Sequence, residues 1–235
     1  MRRLIGLLLL STAGCSGFGP VTPDRLKTLG LGDETFSFTR CKFRLSVDSV
    51  WLTGEFDGVA LATGGSRPAA ARVQVFGDLG PKMMDLSARP QRIVGYFPQT
   101  MEGVDCALPD EAAPHLLLFM GATLLEDLMP FQASRVVGVR EEADGAWLRL
   151  RPVIPGLVTD LFRTQTGELR KRRFSWIYGI GWEELQVGKD EWRITAPNLS
   201  IHVKVIDRDH APPANLELLE LTLPGDVRLS RGSRK

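Results

Sequence analysis

Residues 199–205 read LSIHVKV, so that Leu199, Ile201, Val203 and Val205 alternate with Ser200, His202 and Lys204. Successive side chains of an extended strand leave on opposite faces, and this period of two makes a ribbon with one apolar and one polar side. Such a ribbon is stable only within a sheet that buries its apolar side. The pattern recurs where Phe43, Leu45 and Val47 alternate with Lys42, Arg44 and Ser46. Further strand-like runs occupy residues 50–64, 72–87, 92–97, 134–152, 157–174 and 215–224. Turn formers interrupt them at Gly77-Asp78, Gly80-Pro81, Ala143-Asp144-Gly145 and Thr166-Gly167. About ten strands joined by short turns predict a mainly β chain whose antiparallel sheet is large enough to curl.

One segment departs from this texture. EAAPHLLLFMGATLLEDLMP, residues 111–130, is long enough for a helix, with Pro114 in its first turn and Pro130 at its end. From Leu116 to Leu128 it is apolar on nearly every side, so it must be covered almost all round. It either fills the core or walls an apolar cavity with Leu117, Met120, Leu124 and Leu128.

The front end is of another kind. MRRLIGLLLLSTAGC places two arginines before an apolar run and ends in small residues, the order of an export signal, and the run is too short to span a membrane. Thr12-Ala13-Gly14-Cys15 resembles the bacterial lipobox, with Thr12 where leucine is usual. That resemblance implies lipidation of Cys15 and a mature chain beginning there. By similarity to the enterobacterial sorting pattern, Ser16 in place of aspartate implies the outer membrane. Residues 1–15 are therefore expected to be a lipoprotein signal. Residues 16–34 are expected to be a tether with one short helical turn at Pro23 to Leu29, 35–226 the folded body, and 227–235 a basic tail. Cys41 and Cys106 remain as a candidate disulfide in an exported protein, the alternative being two separately buried thiols.

Signatures of chemistry are sparse. The chain has no phosphate-cradling GxxxxGK[ST], GxSxG, HExxH or paired CxxC, and no catalytic residue, metal site or cofactor is expected. Asp207-Arg208-Asp209-His210 could hold a metal, but it also describes a polar loop. Glu183 and Glu184 are neighbours in a strand and should point to opposite faces, which is poor geometry for shared acid-base work. The charges of Arg170-Lys171-Arg172-Arg173 should divide between two faces, which suits solvent or lipid headgroups better than nucleic acid. The formal charge of +1 makes no global case for a polyanionic partner.

Taken together, the lipobox, the strands, a hairpin with Leu79-Gly80 in its turn, a helix, more strands, a Trp-rich stretch and the Pro197-Asn198-Leu199 strand resemble the LolA/LolB-like lipoprotein carriers. The residue-level match is GDLGPKMMDLSARP, residues 77–90, which is similar to the LolB segment with an outward leucine in a Pro-Leu-Gly turn; Asp78 stands where that proline would be. The resemblance implies a strongly curved antiparallel half-barrel with a helix covering its concave side, and Leu79 as a tip offered to a membrane or an acyl chain. It implies a non-enzymatic, lipid-anchored protein facing the periplasm that holds or passes on an acylated ligand, a lipid or a lipoprotein. A second expectation is an adaptor lipoprotein that docks an envelope protein without lipid. A third is a hydrolase using His210 with Asp207 or Asp209.

Overall fold

The computed structural model describes residues 17–29, 38–63, 70–89, 92–107, 136–151, 156–176, 181–210 and 216–229. These form one fourteen-stranded sheet. The first half comprises β1 (Phe38–Ser49), β2 (Thr53–Thr63), β3 (Ala70–Phe76), β4 (Lys82–Arg89), β5 (Arg92–Phe97) and β6 (Glu102–Ala107). The second comprises β7 (Val136–Glu142), β8 (Gly145–Leu150), β9 (Leu157–Thr164), β10 (Leu169–Trp176), β11 (Gly181–Gly188), β12 (Glu191–Ala196) and β13 (Leu199–Asp209). A two-residue β14 (Arg228–Leu229) completes it.

The sheet order is β14-β6-β5-β4-β3-β2-β1-β13-β12-β11-β10-β9-β8-β7. Each half is a meander, and the two meet where β1 pairs with β13, Phe43 opposite Val205 and Leu45 opposite Val203. The two clearest alternations in the sequence are thus partners at the centre of the sheet. The ends β14 and β7 do not pair with each other, so the sheet is open rather than a closed barrel, consistent with a curved half-barrel.

One face carries the core. Cys41, Phe43, Ala60, Ala62, Ala71, Val73 and Ala88 continue across β13 and β12 through Val203, Val205 and Trp192 to Leu161, Leu148 and Leu150. Gly58 lies opposite Phe43 in the ladder, and a Cβ there would sit 2.2 Å from the phenyl ring, so only glycine leaves the ring room on this face.

Residues 17–29 of the expected tether lie against the sheet. Gly19 bridges to Val139, and α1 (Pro23–Thr28), the only helix among the described residues apart from a 3-10 turn, occupies the place of the expected helical turn. Thr22 caps it and Pro23 starts it. Leu26 and Leu29 join the core, and Arg25 holds Glu141 through two hydrogen bonds of 2.7 and 2.6 Å.

The other end of the chain departs further from expectation. Residues 215–224 read as a strand, yet Leu216–Leu219 is a 3-10 turn and residues 220–227 lie outside any strand. This segment crosses the outer face of β3 and β4, where side chains satisfy its carbonyls. Arg72 donates to Leu218 O and Glu220 O at 3.0 and 2.8 Å, and Ser87 to Leu219 O at 2.6 Å. With those groups paired, it needs no sheet edge. Arg228 and Leu229 of the expected tail pair in parallel with Glu102 and Gly103, making the sheet mixed. The β6 strand, EGVDCA, which contains Cys106, is short and carries two acids, a weak strand signal in the sequence.

Candidate functional site

Two features of the sheet stand apart from ordinary packing: a charged pair sunk in the apolar inner face, and an apolar rim at one end.

The register sets Arg172 of β10 opposite both Leu161 of β9 and Glu184 of β11, all pointing inward. Arg172 Nη1 donates to Glu184 Oε2 at 3.0 Å, and their side chains are only 1% and 4% exposed. Trp182 Nε1 donates to the other carboxylate oxygen at 3.2 Å, and the guanidinium lies 4.8 Å from the ring centre of Trp192. Burial pushes the Glu184 carboxyl upward, opposed by Arg172 and the Trp182 hydrogen bond. Two buried donors, Arg172 Nε and Trp192 Nε1, have no acceptor among the described residues. Arg173 and Glu183, one residue along each strand, pair on the outer face at 2.8 Å. The division of both the basic run and the two glutamates between faces is as expected, whereas the burial of the inner pair follows from the register and from which face carries the core.

Trp182 also stacks on Phe174, with ring centres 4.5 Å apart. These two, with Arg173, Gly181, Ala196 and Pro197, line an open groove of about 470 Å³ at the end of β10, β11 and β12. That volume falls within the usual range for ligand sites. Among the described residues, a second cavity of about 350 Å³ lies under the C-terminal segment, where Arg89 pairs with Glu220 and Arg92 with Asp105.

The rim is made by turns at the end where Ser49 pairs with Leu199. In the β3–β4 turn, Gly77 N donates to Pro81 O and Gly80 N to Gly77 O, which leaves Leu79 at the apex with φ +68°. A leucine in the left-handed region is strained by roughly 1 kcal/mol or more. The residue is 106% exposed, so no packing contact among the described residues compensates. At the neighbouring β1–β2 turn stand Val50, Trp51 and Leu52, also exposed. Their apolar run predicts the start of a strand; it is a turn because Ser49 Oγ accepts from Trp51 N and Leu52 N.

The remaining expected residues fare variously. Leu117, Met120, Leu124 and Leu128, with the whole predicted helix, lie outside the described residues, as does Cys15. His202 Nε2 is 3.7 Å from Glu191 Oε2, and Asp207 pairs with Lys42. Among the described residues no three His, Cys, Asp or Glu side chains converge as a metal site, and no helix is long and apolar enough to cross a membrane.

Cys41 and Cys106 are free thiols on β1 and β6, with β2 to β5 between them. Cys41 is fully buried, and burial pushes its thiol up to about 11, whereas Cys106 is half-buried. Iodoacetamide at pH 8 is expected to label Cys106 in the folded protein and Cys41 only after denaturation. Protection of both until a reductant is added would mean that they are bridged.

The chain matches no family model and no curated protein. It is similar in structure to a putative outer membrane lipoprotein-sorting protein domain from Vibrio parahaemolyticus. That likeness has a TM-score of 0.55 at 9% identity and covers 83% of this chain and 94% of the other. The fold is LolA-like. A LolA superfamily protein from Nitrosomonas europaea is similar with a TM-score of 0.50 at 8% identity, covering 80% of this chain and 94% of that one. At such identities the LolA-like likeness concerns the fold.

Proposed function

We propose that this protein is a non-enzymatic carrier, anchored by lipid on Cys15 to the outer membrane and facing the periplasm, that holds or passes on an acylated ligand such as a lipid or a lipoprotein. The observation that carries the reading is that a strained, wholly exposed Leu79 and the open groove beside Phe174 and Trp182 lie at the same end of the sheet, with β2, β1 and β13 between them. An acyl chain needs no catalytic group to bind, because each buried methylene contributes about 0.8 kcal/mol. The unpaired donors Arg172 Nε and Trp192 Nε1 suit a ligand with an ester or amide carbonyl at the head of its chain.

A second reading is favoured by the inner face itself. Trp192, Leu148, Leu150 and Leu161 are almost wholly buried, as in a filled core, which suits an adaptor that docks an envelope protein without lipid.

Native mass spectrometry of residues 16–235, exported behind a cleavable leader, followed by organic extraction, separates the two. The carrier reading expects stoichiometric copurified acyl species and a loss of ligand transfer on Leu79→Glu with the fold retained. A clean apo mass, unchanged after incubation with phospholipid or acylated peptide, leaves the adaptor.

A further inference from the structure

Leu79 is not alone at its end of the molecule. Val50, Trp51 and Leu52 are 69%, 84% and 48% exposed, three consecutive large apolar side chains at one turn. Scattered exposed apolar residues are ordinary, whereas a run of three beside a fully exposed leucine is not. Because β2 and β3 are neighbours, the two turns lie about two strand spacings apart across the sheet, roughly 10 Å, and the pairing of Phe76 with Asp57 staggers them along the strands at the same end.

The shape and chemistry of this rim select its partner. Two narrow projections do not offer the roughly 800 Å² of close-fitting surface that a stable protein partner covers. A fluid surface closes around points. Tryptophan with aliphatic neighbours is the composition favoured at a membrane interface. Part of the polar backbone of the β1–β2 turn is already paired: Ser49 N donates to Leu52 O at 3.0 Å, and Ser49 Oγ accepts from Leu52 N at 2.9 Å and Trp51 N at 3.3 Å. Moving it out of water therefore strips no hydrogen bond from those amides. Asp48, Asp78 and Lys82 flank the two turns, two acids to one base, so the rim has no charge attraction for anionic headgroups.

We infer that the Val50-Trp51-Leu52 turn, with Leu79 beside it, is the point at which this protein enters a zwitterionic bilayer surface. The inference extends the role given above to Leu79 but does not depend on an acyl ligand in the groove. A protein that copurifies no acyl species and still inserts Trp51 keeps this inference and loses the carrier.

The test uses the full-length chain on phosphatidylcholine vesicles, with acyl-brominated phosphatidylcholine placed either in the carrying vesicle or in a second population. The chain has five tryptophans, so the Trp51 signal is taken as the difference between the protein and its Trp51→Phe variant. A blue-shifted Trp51 signal, quenched by brominated lipid in either arrangement and shielded from aqueous acrylamide, is the expected result. Leu52→Asp, an exposed change that leaves the circular dichroism and melting temperature in place, should abolish that quenching. Trp51 that remains open to acrylamide and insensitive to brominated lipid in both arrangements overturns the inference. So does quenching that survives Leu52→Asp, or protection of Trp51 that appears only on adding envelope protein.

Discussion

Arg172→Met is expected to destabilise the protein by about 4 kcal/mol, while Arg172→Met with Glu184→Leu restores most of that loss. The single change leaves Glu184, 4% exposed, inside an apolar face with only the Trp182 indole to hold its charge. Removing both partners ends the desolvation cost along with the attraction, and the two apolar side chains fill the same space beside Trp192. Urea unfolding monitored at constant slope reads the difference as a displaced midpoint. A single variant within 1 kcal/mol of the parent, or a double variant no better than the single, would show that the pair does not carry its burial this way. In a protein that holds a ligand by this face, the double variant has a further use. It should fold and yet bind a carbonyl-bearing ligand less well, since Arg172 Nε is removed with the charge.

Asp85→Asn should cost about 3 kcal/mol near neutral pH, and the cost should shrink in acid. Asp85 is 1% exposed on the outer face, where its carboxylate accepts from Arg72 at 2.8 and 2.8 Å, Lys82 at 2.7 Å and Gln74 at 2.9 Å. Burial is the largest single influence on this group and works against ionisation. The hydrogen bonds from Arg72, Lys82 and Gln74 together overcome it and hold the carboxyl below its ordinary value of 3.8. A folded value below the unfolded one means that the stabilisation is complete above the unfolded value and is lost as pH falls through the folded value. The difference between parent and variant should therefore be constant from pH 7 down to about pH 5 and narrow below about pH 4. An equal difference at pH 7 and pH 3 would mean that packing rather than charge is at stake. Arg72 also holds Leu218 O and Glu220 O, so the variant should expose the C-terminal segment to proteolysis before the rest of the sheet.

Alternation made the central strands legible. Phe43, Leu45 and Val47 face inward with Val203 and Val205, as period two requires, and glycine and aspartate marked the turns at 77–80 and 143–145. Local pattern failed where another part of the chain supplied the hydrogen bonds. LELLELTL alternates well enough for a strand, but Arg72 and Ser87, more than 130 residues away, satisfy its carbonyls on the outer face. Val50, Trp51 and Leu52 favour strands, yet one hydroxyl at Ser49 closes them into a turn and pushes them into water.

The candidate site divides in the same way. The oddity of a leucine among turn formers is a property of the sequence alone, and so is the division of Arg172 and Arg173, like that of Glu183 and Glu184, between opposite faces, because neighbouring strand residues always part. Which arginine goes inside depends on the register of β10 against β11 and on which face of the sheet carries the core. A slip of one residue would exchange the buried pair for the exposed one. Local sequence determined the strands, their two faces and most of their turns, because these depend on steric preferences within a few residues. Only the assembled sheet decided that Arg172 and Glu184 would be buried together, and that Trp51 and Leu79 would stand on one rim, because both follow from pairings between segments that the chain must first bring side by side.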